Sequence, residues 1–234
     1  MKSARNWTLA FFSTAVAVAV CYVWLDRPIA LIVHAAFQQY DLFEKLTLIP
    51  VAIIPLAIVA FVALGLRGLA GGLLSKLPTV ILLSGVSLAV AEAIKDQLKF
   101  AFGRTWPETW IRNNPSFIRD HVFGFFPFHG GPGYASFPSG HTPAICAVMS
   151  VLWICYPRFR AVYVLCIAAV AIGLVGADFH FLGDVIAGGY LGSLVGWLMV
   201  CLWENGIRPV RPLVAPSAET SSGVPSGHVT MPTA

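Results

Sequence analysis

Twenty consecutive residues, Asn6 to Leu25, contain no Asp, Glu, Lys or Arg, and five further apolar runs follow. These are Leu46 to Leu66, Leu77 to Ala91 (continuing helically to about Phe102), Pro138 to Tyr156, Ala161 to Ala177, and Val185 to Trp203. A bilayer core of about 30 Å takes roughly 20 helical residues to cross. Hydrocarbon offers no partner for a bare backbone, so runs of this length must satisfy their hydrogen bonds as helices. The pattern predicts an all-α polytopic protein with six membrane-spanning helices. Pro28 to Gln39 is apolar but shorter, and reads as an interfacial helix. The first run follows Lys2 and Arg5, as a signal peptide would. It is too long for one, and it ends in Trp24-Leu25-Asp26-Arg27 without a small-residue cleavage site.

Composition agrees. Charged side chains make up 11% of the 234 residues, against about 25% for an ordinary soluble domain. The net charge of +4 is modest and its basic residues are scattered, which argues against a nucleic-acid partner. Cys21, Cys146, Cys155, Cys166 and Cys201 all lie in apolar stretches and read as small hydrophobes. The chain divides into a membrane domain, residues 1–208, and a tail, residues 209–234. The tail is rich in Pro, Ser, Thr and Gly and has too little apolar surface to fold.

Six spans place both termini on one side. The short segments 67–76 and 157–160 each carry two basic residues and no acid. Basic short loops favour the cytoplasm, so both termini are expected there. The long segment between the third and fourth spans is then on the outer, periplasmic face of a bacterial inner membrane.

That segment gathers the scarce charge. Lys95, Asp96, Lys99, Arg104, Glu108, Arg112, Arg119 and Asp120 lie within it, and it runs into Pro138-Ser139-Gly140-His141 at the start of the fourth span. Proline suits a helix start, and a helix N-terminus attracts anions. The amides of Ser139 and Gly140 are expected to point outward there, with the His141 imidazole able to transfer a proton. Between the fifth and sixth spans, His180 and Asp184 stand four apart, on one helical face. A carboxylate holding one imidazole nitrogen leaves the other as base or nucleophile. Lys99 and Arg104 reach the same membrane face and would neutralise phosphate charge.

In these residues the chain resembles the type 2 phosphatidic acid phosphatases, the membrane branch of a superfamily that includes vanadium haloperoxidases. The family pattern is Lys-x6-Arg-Pro, then Pro-Ser-Gly-His, then Ser-Arg-x5-His-x3-Asp. Residues 138–141 match the middle motif, His180 and Asp184 the end of the third, and Lys99 and Pro107 the first. Trp106 stands at the first arginine position, and Gly173 and Leu174 stand at the Ser-Arg position. The resemblance implies a six-helix bundle with an outer active-site loop, acting on a lipid phosphate monoester or diphosphate without metal or cofactor. It implies His180 as nucleophile through a phosphohistidine, Asp184 as its orienting group and His141 as proton donor. Lys99, Ser139 and Gly140 would hold the phosphoryl oxygens, with Arg104 as a replacement charge. A phosphotransferase using the same nucleophile, or a noncatalytic lipid-phosphate binder, is the alternative.

Other candidates have plainer readings. Arg112, His121 and His129 are loop residues that could add charge. Lys95 reads as an interfacial lysine, Glu92 as its local partner or Asp96 as that of Lys99, and His34 as structural. A second Pro-Ser-Gly-His, residues 225–228, lies in the polar tail with no helix to follow and is assigned no chemistry.

Overall fold

The computed structural model describes residues 2–37, 41–70, 75–110 and 113–206. Arg112, the tail and its second Pro-Ser-Gly-His lie outside the described residues. The long helices are α1 (Lys2–Val20), α2 (Asp26–Phe37), α3 (Asp41–Leu69), α4 (Lys76–Phe102), α6 (His141–Cys155), α7 (Arg160–Gly176) and α8 (Leu182–Gly206). A one-turn helix, α5 (Phe117–Asp120), lies in the segment between α4 and α6. Among the described residues there is no strand, and three isolated backbone bridges, two of them at Arg104, knit that segment together.

Five helical stretches among the described residues are long and apolar enough to cross a membrane: Arg5–Phe37, Asp41–Leu69, Lys76–Phe102, Pro157–Gly176 and Leu182–Asn205. The remaining predicted span, the fourth, is α6, which has only 15 residues. It is the central helix, packed against α3, α4, α7 and α8, and Thr142 to Met149 are all buried. Its contact with α8 is backbone-close. A Cβ on Gly192 would lie 2.3 Å from the Pro143 carbonyl oxygen, and one on Gly196 would lie 2.6 Å from that of Ala147. Small residues spaced four apart let membrane helices approach in this way.

The expected separate interfacial helix is not separate. α1 runs into α2 through a π-helical turn, Cys21–Leu25, with helical dihedrals at Val20 and Asp26 on either side. Pro28 accounts for the turn. Its ring would press on the carbonyl of Trp24 in a regular α-helix, and the wider π turn relieves that contact. The Asp26 amide bonds the Cys21 carbonyl, one residue further back than in an α-helix. The extra residue sets the face on which Asp26 emerges.

Candidate active site

The nucleophile candidate is fixed from both ends of one turn. After α7 ends at Gly176, the amides of Phe179 and His180 both donate to the Leu174 carbonyl, at 3.0 and 3.1 Å. Asp184 follows in the first turn of α8. Its Oδ2 accepts from the Phe181 amide at 3.1 Å and from the Ser136 hydroxyl at 2.7 Å. His180 Nδ1 lies 3.7 Å from that oxygen and 3.4 Å from Ser136 Oγ. Asp184 thus holds Nδ1 directly at long range and through Ser136 at shorter range, and neither contact engages Nε2. Both His180 and Asp184 are buried. Burial pushes the His180 imidazole below its ordinary pKa, and Asp184 only partly offsets this.

Pro-Ser-Gly-His sits at the start of α6, as expected, but its amides are not all outward. The Ser139 amide donates to the Asp184 carbonyl at 3.1 Å, which ties α6 to α8. Ser139 Oγ accepts from Thr142 Oγ1 at 3.1 Å, and Ser139 is buried. Gly140 is half-buried with open space on its side-chain face, where an added Cβ would meet only Lys95 Cδ at 3.9 Å. His141, also half-buried, opens α6 within electrostatic reach of His180, Lys99 and Lys95.

Lys99 comes from the last turn of α4. Its Nζ donates to the Ala135 carbonyl and lies 5.5 Å from the centre of the Trp106 ring. Trp106 in turn lies 5.0 Å from the His180 ring and donates from Nε1 to the Pro132 carbonyl at 2.7 Å. Beside Lys99 is a cavity of about 290 Å³, also lined by Asp96, His129 and Tyr134. An apolar cavity of about 570 Å³ runs between α1, α4 and α8 and ends on Phe137 and Pro138.

Arg104 does not stand where a phosphate ligand would. It is fully buried. Nη1 donates to Asp184 Oδ1 at 2.5 Å and Nη2 to Asp26 Oδ2 at 2.6 Å. The guanidinium is enclosed by rings, with that of Phe181 at 4.4 Å and that of Phe125 at 4.9 Å. Burial opposes its charge, but Asp184 and Asp26 outweigh burial and hold its pKa above the ordinary value. Two carboxylates occupy the fork that was expected to face phosphate.

The remaining candidates fall outside the cluster. His121 is exposed and ends α5, and His129 is exposed at the rim of the cavity beside Lys99. Lys95 pairs with Glu92 at 2.6 Å and with Asp96 at 3.1 Å, so Asp96 serves Lys95 rather than Lys99. His34 bonds Asp178 at 2.9 Å. Leu174 is fully buried in the core with Ile145 and Val170. Among the described residues no three of His, Cys, Asp and Glu form a group able to hold a metal ion.

Comparison with known proteins bears on this arrangement. The family model of the PAP2 superfamily matches residues 80–208. The chain belongs to the PAP2 superfamily. Two relatives carry the name lipid A 1-phosphatase. The one from Rhizobium etli is 33% identical over 87 residues, 37% of this chain and 36% of that protein. The one from Rhizobium johnstonii is 32% identical over 83 residues, 35% of this chain and 34% of that protein. The chain thus aligns with about a third of the length of these relatives. Among solved structures, the transmembrane PAP2 type phosphatidylglycerolphosphate phosphatase of Bacillus subtilis has the same fold. Its TM-score is 0.54 at 17% identity, covering 88% of this chain and 98% of that one.

Two residues of this buried cluster, Asp26 and Ser136, are not singled out by the sequence pattern. Asp26 carried a signal, since an ionisable residue within a helix of this hydropathy is a functional suspect. The first apolar run ends just before it, at Leu25. Ser136 carried none beyond being polar in an aromatic stretch.

Proposed function

We propose that this protein is a lipid phosphatase that hydrolyses a phosphate monoester or diphosphate through a phosphohistidine, without a metal. The observation that carries the reading is the convergence of Lys99, Gly140, His141 and the His180–Asp184 pair at one end of a membrane bundle. The name lipid A 1-phosphatase carried by two relatives supports phosphate removal from a lipid. His180 Nε2 attacks phosphorus, and the bond from phosphorus to the lipid oxygen breaks. His141 gives that oxygen its proton. Water, surrendering a proton to His141, then attacks the phosphohistidine, and inorganic phosphate leaves. Lys99 leaves the Ala135 carbonyl for the phosphoryl oxygens, whose developing charge it offsets together with the start of α6. The apolar cavity ending on Pro138 suits an acyl chain that stays in the bilayer, as a lipid substrate requires.

The site lies at the end of α1 away from Lys2 and at the end of α8 away from Gly206. With both termini in the cytoplasm, it faces the periplasm of a bacterial inner membrane. Labelling of a cysteine placed at exposed His129 by a membrane-impermeant reagent on intact cells tests that orientation.

The decisive assay is phosphate release from a panel of lipid phosphates by detergent-purified protein, with and without chelator, beside His180→Ala. The expected result is chelator-insensitive release that His180→Ala abolishes. The absence of arginine at Trp106 and Leu174 favours one rival, a noncatalytic binder. That rival predicts retention of lipid phosphates with no release from any of them.

A further inference from the structure

We propose that Asp26 and Arg104 are a positioning pair for Asp184, and through it for His180, so that the continuous helical stretch of α1 and α2 belongs to the catalytic apparatus. The inference rests on the reading of His180 as nucleophile. Asp26 lies outside residues 80–208, where the family model matches, so the pair adds a part to the site that the family match does not contain.

Three ionisable side chains meet here with essentially no exposure: Asp26 at 1%, Arg104 at 0% and Asp184 at 0%. Each of the four carboxylate oxygens has a donor. Asp26 Oδ1 takes the Gly183 amide at 3.0 Å and Oδ2 takes Arg104. Asp184 Oδ1 takes Arg104, and Oδ2 takes Ser136 and Phe181. Arg104 therefore cannot turn to a substrate without stranding two buried carboxylates, which is strongly unfavourable. Its planar fork instead fixes the distance and orientation of Asp184 relative to Asp26.

Asp26 grips the same group twice. Through Arg104 it holds the Asp184 carboxylate, and through Gly183 it holds the backbone one residue earlier, where α8 leaves an amide to be satisfied. A Cβ on Gly183 would lie 3.1 Å from Asp26 Oδ2 and 3.4 Å from Arg104 Nη1, so the pieces are in contact. The π turn at Cys21–Leu25 brings Asp26 to this face, in keeping with the frequent use of such turns at functional sites. The chain of contact is then Asp26, Arg104, Asp184, Ser136, His180. Two of its members bear directly on the nucleophile's Nδ1 and the other two set those members.

The test compares Asp26→Asn and the double variant Asp26→Leu with Arg104→Met, using full-length protein in detergent and phosphatidic acid in mixed micelles. Asp26→Asn is expected to lower kcat about 10- to 100-fold, as loss of an orienting partner does, with KM nearly unchanged. The double variant removes both charges of the pair, leaves the buried Asp184 carboxylate with only Ser136 and the Phe181 amide as donors, and is expected to lower kcat at least as far as Asp26→Asn does. Wild-type kcat in Asp26→Asn, or in the double variant, overturns the proposal. Where Asp26→Asn does not fold, the double variant carries the same decision.

A second readout needs no turnover. In nitrogen-labelled histidine spectra, assigned with His180→Gln, the wild type is expected to hold His180 in one tautomer protonated at Nδ1. Both variants are expected to mix tautomers, and an unchanged His180 signal overturns the pair's role. If the wild type releases no phosphate from any lipid, the proposed function fails, and the spectra alone decide on the pair.

Discussion

The indole of Trp106 lies 5.0 Å from the imidazole of His180, tilted by 43°, at the position where the family pattern has an arginine. The exchange puts an apolar wall against His180 where the family pattern has a cation. It also accounts in part for the burial of His180, since Trp106 is itself only 4% exposed. Trp106→Phe keeps an aromatic face but loses the bond from Nε1 to the Pro132 carbonyl. The expected cost is about 1 kcal/mol, with phosphate release retained. Trp106→Ala opens a cavity at a cost of about 3–5 kcal/mol and leaves one side of His180 unsupported. Thermal unfolding in detergent and kcat of the folded fraction check both variants.

The acid limb of activity follows from the same burial. In the proposed mechanism His180 must be neutral to attack, and burial pushes its pKa below the ordinary value. The groups acting on it are Asp184 from α8, Lys99 from α4 and His141 from α6. The acid limb of kcat/KM, which reports the free enzyme, is therefore expected below pH 6.5. Stability has the matching sign. The unfolded chain takes up a proton at His180 before the folded one does, so stability is lost as pH falls below about 6.5 toward the folded value. A pH series of initial rates with unfolding midpoints checks this, and an acid limb above 6.5 contradicts it.

The architecture was legible because hydrophobic runs of span length leave a chain few options. The histidine motifs were legible because Pro-Ser-Gly-His and the spacing of His180 from Asp184 fix local geometry. Arg104 was misplaced for a definite reason. Sequence order put it beside Lys99, but whether a guanidinium faces substrate or carboxylate depends on what other helices bring to it. Asp26 is brought by a helix about 80 residues earlier, through a π turn that no periodicity announces. Ser136 likewise gains its role only when the outer segment folds over α8.

Asp178 offers a control two residues from His180, the proposed nucleophile. It is buried with φ of 55°, in the left-handed region where Asn is well tolerated. Oδ2 bonds His34, while Oδ1 is buried without a partner. Burial raises its pKa, and His34 offsets only part of this. Asp178→Asn removes the buried charge and keeps an acceptor for His34. The expected change is neutral to stabilising, within about 1 kcal/mol, with kcat unaltered. A marked loss of kcat would make Asp178 part of the site. Unfolding midpoints and initial rates beside wild type check it.

Gly173 shows why a departure from the family pattern belongs to packing rather than chemistry. At the position where the pattern has serine, a Cβ would lie 2.8 Å from Leu46 Cβ and 2.8 Å from the Phe43 carbonyl oxygen. Glycine there lets α7 close on α3, and the carbonyl is backbone that cannot rotate away. Gly173→Ser is thus expected to destabilise by about 1–3 kcal/mol through overpacking. It is not expected to raise activity, because the new hydroxyl would be held at the α3 contact. Gly65 supplies the contrast. It is in α3 with nothing within 4 Å of an added Cβ, so Gly65→Ala is expected to be neutral or slightly stabilising through helix propensity. Unfolding midpoints of the two variants in one detergent check the pair, and equal midpoints would remove the packing account of Gly173.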